Sequence, residues 1–183
     1  MKKLIYLSVL MVFGLAMNAQ KIVPLENKYN YKITNRNEEV YFKDINNILE
    51  KYLGTWKGTY GDKKYEFRIV KNTGSYMVMK YDELLIRYIV TDLKNNIIEN
   101  TTSLLDSDTY IIEGHNYNNG WYLLLYHAKG GNCAQRGEIR ISVNNKNMDA
   151  FFRSTSDIVD STKCPNEINQ YFPINTIFKL IKQ

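Results

Sequence analysis

The chain has 183 residues, of which 44% are hydrophobic and 23% charged, and its formal net charge is +5. This is the make-up of an ordinary globular protein, and three prolines and ten glycines exclude collagen-like and Pro-rich chains. The mild charge, with no cluster of four or five basic residues, argues against a dedicated nucleic-acid binder.

Residues 1–19 read as a signal peptide. Lys2 and Lys3 give a positive start, and Leu4 to Met17 is an apolar run broken only by Ser8 and Gly14. Ala19 before Gln20 is the expected cleavage point. The run is shorter than the ~20 residues that span a bilayer, which disfavours the alternative of an uncleaved anchor. No later stretch is apolar enough to cross a membrane, so the product is expected in the periplasm or outside the cell. Removing the leader leaves 164 residues, with 22 basic against 19 acidic side chains and a charge of +3. That length suits one domain with its own core.

Residues 20–36 are polar and aperiodic and read as an extended lead-in. A single barrel domain is expected over 37–183. It begins with a helical pattern: Tyr41, Ile45, Ile48, Leu49, Tyr52 and Leu53 share one face of a 3.6-residue period. Asn37 and Asp44 are candidate caps, and Gly54 stands where a helix should end.

After Gly54 the period becomes two. Lys64 to Ile69 alternates apolar and charged residues strictly, as a half-buried strand does. Ser75–Lys80, Glu83–Thr91, Asn96–Glu99, Thr109–Glu113, Trp121–His127, Glu138–Val143, Met148–Arg153 and Thr176–Lys182 follow as further strands. Between them stand Gly61-Asp62, Asn72-Thr73-Gly74, Asn95-Asn96, Asn118-Asn119-Gly120 and Asn144 to Asn147. These residues tolerate the positive φ of tight hairpins, which accounts for much of an excess of 21 asparagines. Short strands at roughly ten-residue spacing predict an all-β fold. The form expected is an antiparallel up-and-down meander closing into a barrel of about 8–10 strands, with one short helix before the first. A β-sandwich is the competing topology. Ser154 to Pro173 has no period and reads as a long loop.

Cys133 and Cys164 remain. In an exported chain they most simply form one disulfide, whose loop of about 30 residues is worth ~3–4 kcal/mol in chain entropy. Two free or metal-binding thiols are the alternative. With two histidines in the whole chain and no Cys-x-x-Cys, metal is the weaker reading, and no cofactor is expected.

The segment from Tyr52 to Tyr60 (YLGTWKGTY) resembles the entry to the first strand of lipocalin and fatty-acid-binding barrels. There a short helix leads into Gly-x-Trp, the Trp plugs one end, and a cation near the last strand packs across it. The resemblance assigns structural roles to Gly54 and Trp56 and makes Lys179 or Lys182 the candidate cation. It implies a lipocalin-like (calycin-like) barrel. Nearly the whole mature chain also resembles a group of small exported bacterial proteins of unknown function. The matching parts are Asn18-Ala19-Gln20, Ile22 to Leu25, YLGTWKGTY, Glu83 to Tyr88, Cys133 and Cys164-Pro165-Asn166. This resemblance implies export, one β-rich domain and the cysteine pair, and carries over no catalytic residue.

Catalytic signatures are absent: there is no Gly-x-Ser-x-Gly and no His-Glu-x-x-His. His115 and His127 read as loop and strand-end residues. The carboxylates Glu66, Asp82, Glu83, Glu99, Asp106, Asp108, Glu113 and Glu138 are scattered, with Glu66 and Glu138 on wet strand faces. The aromatic residues are more informative. Tyr65, Phe67, Tyr88 and Trp121 lie on strands and would line a small apolar or amphipathic ligand if the barrel is hollow. If it is solid, they are core. The first expectation is therefore a non-enzymatic ligand-binding protein. The second is a solid-barrel interaction module that meets an envelope or secreted protein through its loops. An enzyme comes third, and would need carboxylates or a His–carboxylate pair converging in one cleft.

Overall fold

Alternation at the residue level decides the architecture. In β4 (Lys63–Tyr76), Tyr65, Phe67 and Ile69 are buried while Arg68 and Val70 face solvent. In β8 (Trp121–His127), Tyr122, Leu124 and Tyr126 form the buried phase. Strands with one dry and one wet face bury the dry one by curling round it. The structure, a computed structural model, describes residues 20–34, 37–128, 135–155 and 170–183. The leader at 1–19 and both cysteines, Cys133 and Cys164, lie outside the described residues.

Eight antiparallel strands close the barrel. In order round the wall they are β5 (Met79–Asp92), β4, β3 (Gly54–Tyr60), β11 (Ile177–Lys182), β10 (Asn147–Ser154), β9 (Arg136–Asn144), β8 and β7 (Ile112–Asn118). The wall is completed where β7 meets β5, through Leu85 opposite Glu113 and Ile86 opposite Ile112. Three strands lie outside the ring: β1 (Lys21–Pro24), β2 (Val40–Lys43) and β6 (Ile97–Asn100). One edge of β5 therefore serves three partners in turn. Met79–Tyr81 takes β2 in parallel, Leu85 and Ile86 take β7, and Ile89–Thr91 takes β6.

The turns at Gly61, Asn95, Asn119 and Asn145 fall where expected, each with positive φ at the named residue. Three expectations need correction. The helix over 41–53 is absent. Val40–Lys43 is the strand β2, and the remainder is turns ending in a short 3₁₀ segment, Glu50–Tyr52. The apolar spacing was real, since Leu49 and Tyr52 are fully buried, but Ile45 is exposed. Asp44 sets the local path: its carboxylate accepts from the backbone N–H of Ile48 at 2.7 Å and of Leu49 at 3.4 Å. Asn47 then turns the chain with φ of 53°.

Second, Asn72-Thr73-Gly74 is not a turn. β4 and β5 form one long hairpin that reverses at Met77 (φ 54°). Gly74 is required there by space: a Cβ would lie 2.6 Å from Glu83 Oε1 and 2.7 Å from the Tyr81 ring. Third, the lead-in holds β1, parallel to β2, and a 3₁₀ segment at Leu25–Asn30.

Candidate functional site

The interior is an aromatic cage with an occupant. Tyr65 and Phe67 come from β4, Tyr88 from β5, Tyr126 from β8, Phe152 from β10 and Phe178 from β11, all buried. Their rings surround Phe172, which reaches in from the segment before β11. Centroid distances to Phe172 are 5.1 Å for Tyr88 and Tyr126, 5.7 Å for Phe67 and 5.9 Å for Tyr65. Phe178 and Phe152 complete the cage at 6.1 and 6.2 Å. Most of these pairs are edge-to-face, the arrangement that the ring quadrupoles favour. Backbone bonds hold the plug segment in place: Asn175 N–H donates to the Phe152 carbonyl at 2.8 Å, and Tyr171 N–H donates to Gln135 Oε1 at 3.4 Å. Burial pushes the phenols of Tyr65, Tyr88 and Tyr126 well above their ordinary value, so all three stay neutral.

Three of the four sequence-predicted lining residues, Tyr65, Phe67 and Tyr88, thus meet inside the barrel. Trp121 does not join them; it is half-buried on the opposite phase of β8. Phe172 carried no periodic signal. What marks it in the sequence is Tyr171-Phe172-Pro173, the only aromatic pair in an otherwise polar segment from Ser154.

Trp56, Tyr52 and Leu49 are fully buried in the same core, Trp56 opposite Phe67 in register. Trp56 Nε1–H donates to the Tyr52 carbonyl at 2.7 Å. Lys182, on β11, supplies the cation, with Nζ 5.4 Å from the indole centroid. Gly54 enters β3 with φ of 110°, in the region that favours glycine.

Beyond Trp56 lies a polar network that the sequence left scattered. Asp82 accepts from Tyr41 Oη at 2.7 Å, Thr73 Oγ1 at 3.1 Å and the Asp44 N–H at 3.0 Å. Lys71 Nζ lies 2.8 Å from Asp44 and 3.9 Å from Asp82. Burial alone would raise the Asp82 carboxyl, but these donors and the Lys71 charge hold it below the usual range. Each carboxylate has its donors, so the pair reads as a clamp between β2 and the β4–β5 hairpin. Next to it, Glu83 is buried; Asn72 Nδ2 donates to Oε1 at 3.0 Å, and Oε2 has no donor among the described residues. Burial pushes this carboxyl up to about 7. Lys28, on the N-terminal arm, donates to the His115 carbonyl at 2.9 Å and sits 3.9 Å from the Tyr81 ring centroid. The imidazole of His115 is held below its ordinary value by burial and then by Lys28, and that of His127 by burial and then by Arg136. No group of three His, Cys, Asp or Glu side chains among the described residues could hold a metal ion, and no described helix is long and apolar enough to cross a membrane.

The outer wall carries a further concavity, about 550 Å³, where the β5–β6 turn folds over β3, β4 and β5. Its lining includes Lys57, Thr59, Lys64, Glu66, Ile89, Thr91, Asn95 and Ile97.

A model of the family DUF6705, described as a family of unknown function, matches residues 1–179. The chain belongs to DUF6705. No curated protein and no solved structure matches it. For this DUF6705 member the fold is a filled β-barrel, and the site is read from its own geometry.

Proposed function

We propose that this DUF6705 chain is an exported, non-enzymatic interaction module built on a side-chain-filled barrel. One observation carries the reading: the centre of the aromatic cage is occupied by Phe172, at ordinary packing distances from six rings. A ligand among Tyr65, Phe67 and Tyr88 would have to displace that ring and its backbone anchors, and Trp121 faces away from such a ligand. A rigid barrel of this kind presents its outer wall and its turns to partners. Export rests on the leader at 1–19, with the product beginning at Gln20.

Titration with anilinonaphthalene sulfonate tests the filled interior. The native chain is expected to leave the dye dark, and Phe172→Ala, which empties the cage, to light it. Bright, saturable fluorescence with the native chain would sink the reading in favour of an interior ligand. Terminal sequencing of protein recovered outside the cytoplasm should read from Gln20; recovery of the uncut chain in the cytoplasm would remove the export half.

A further inference from the structure

We infer that Gln20 is a modification site: once the leader is cut after Ala19, it cyclises to pyroglutamate, and the ring guards β1 against trimming. This goes beyond the filled-barrel reading and rests on its export half, because cleavage between Ala19 and Gln20 is what makes Gln20 terminal.

The step balances without a co-reactant. The freed α-amine attacks Cδ of its own side chain. A C–N bond forms in a five-membered lactam, the Cδ–Nε2 bond breaks, and the amide nitrogen leaves as ammonia with the proton that the amine gives up. Attack needs the neutral amine, and an α-amino group ordinarily titrates at about 7.7–8.0, so a usable fraction is neutral just above pH 7. Nucleophile and target share one residue, so the encounter is intramolecular. The fold leaves that residue free to bend. Gln20 is exposed and stands just ahead of β1. The strand's bonding starts one position later, where Lys21 N–H donates to the Glu39 carbonyl at 3.1 Å.

What the ring protects follows from β1 itself. Chain ends fray and are nicked unless something ties them down. Here the tie is Lys21: besides its backbone bond, its Nζ lies 3.0 Å from Glu38 and 5.3 Å from the Tyr31 ring centroid. An aminopeptidase working on an open Gln20 would take Lys21 next, and then Ile22, the partner of Tyr41 in the register. It would stall at Val23, because such enzymes rarely cut the bond before a proline, here Pro24. Only Val23 and Pro24 of β1 would then remain. A lactam offers the enzyme no free amine to hold. It also removes a positive charge beside the Lys21 ammonium.

The test is tandem mass spectrometry of the chain recovered outside the cytoplasm, cut after Glu26 so that the first peptide is 20–26. That peptide is expected to be lighter by one ammonia than its open form. A first peptide of full mass would overturn the proposal and leave export standing; an uncut chain, or one that starts elsewhere, would overturn both. Gln20→Ala keeps Ala19 at the cut but cannot form the ring. A broad-specificity aminopeptidase should trim this variant to Val23 about tenfold faster than the native chain, or more. Equal trimming of the two would remove the guarding role.

Discussion

At one end of the barrel Phe172 is held by six rings; at the opposite end Lys71, Asp44, Asp82, Tyr41 and Thr73 hold β2 against the long hairpin through charged hydrogen bonds. The first seal depends on volume and is indifferent to protons. The second depends on donors and acceptors being matched, and its Asp82 carboxylate is held below the usual range by them. The fold therefore has a pH-blind end and a pH-sensitive end, and substitutions should sort by which end they touch.

The largest expected effect is Phe172→Ala, which empties the cage and should cost ~3–5 kcal/mol in urea unfolding. Phe172→Leu, which keeps most of the volume, should cost about a third of that. A loss under ~1 kcal/mol for the alanine variant would break the contrast, because the cage would then be closing without its plug. Asp44→Ala comes next, at ~2–3 kcal/mol, because it leaves the Ile48 and Leu49 N–H groups without their acceptor and Lys71 without its nearest anion.

Glu83 sharpens the comparison through pH. Its folded pKa, about 7, lies above its ordinary value of 4.5, so the folded chain binds the extra proton and stability falls as pH rises from about 4.5 to 7. Glu83→Gln keeps the Asn72 bond and removes the titration. At pH 8 it should be ~2 kcal/mol more stable than the parent, with the gap closing below pH 5. Asp82 has the opposite sign. Its folded value is depressed, so its contribution is present above the ordinary 3.8 and lost as pH falls through the lower folded value. A Glu83→Gln gap of the same size at pH 4 and pH 8 would sink the titration account. The smallest effect belongs to Lys182→Ala, ~0.5–1 kcal/mol with a shift in Trp56 emission, since the cation is only half-buried at the end of β11.

Much of this was legible from residue order. β8 matches the expected Trp121–His127 segment end for end, and the alternation of Lys64 to Ile69 fixed which side of β4 is dry. The lipocalin resemblance, rather than the residue pattern, pointed to Trp56 and a cation near the last strand, and Lys182 lies over the Trp56 ring. The errors share a cause: local pattern cannot see a distant partner. Leu49 and Tyr52 are spaced as on a helix, yet Asp44 and the hairpin residues Lys71 and Asp82 draw that segment into turns. Gly74 looks like a turn residue until Glu83 and Tyr81 are seen to fill the space of its missing side chain. Phe172 had no periodic neighbours to announce it. The polar clamp joins residues 41, 44, 71, 73 and 82, which no window of the sequence brings together.

The parallel seating of β1 and β2 has a consequence for how the chain is assembled. Both are synthesised before β5, yet they join the sheet through Val40 to Phe42 alongside Met79 to Tyr81. A lone pair of four-residue strands is marginal in water. These two strands must therefore wait for the hairpin that templates them, and a cargo fused ahead of Lys21 would ride on a piece that settles only after that hairpin forms.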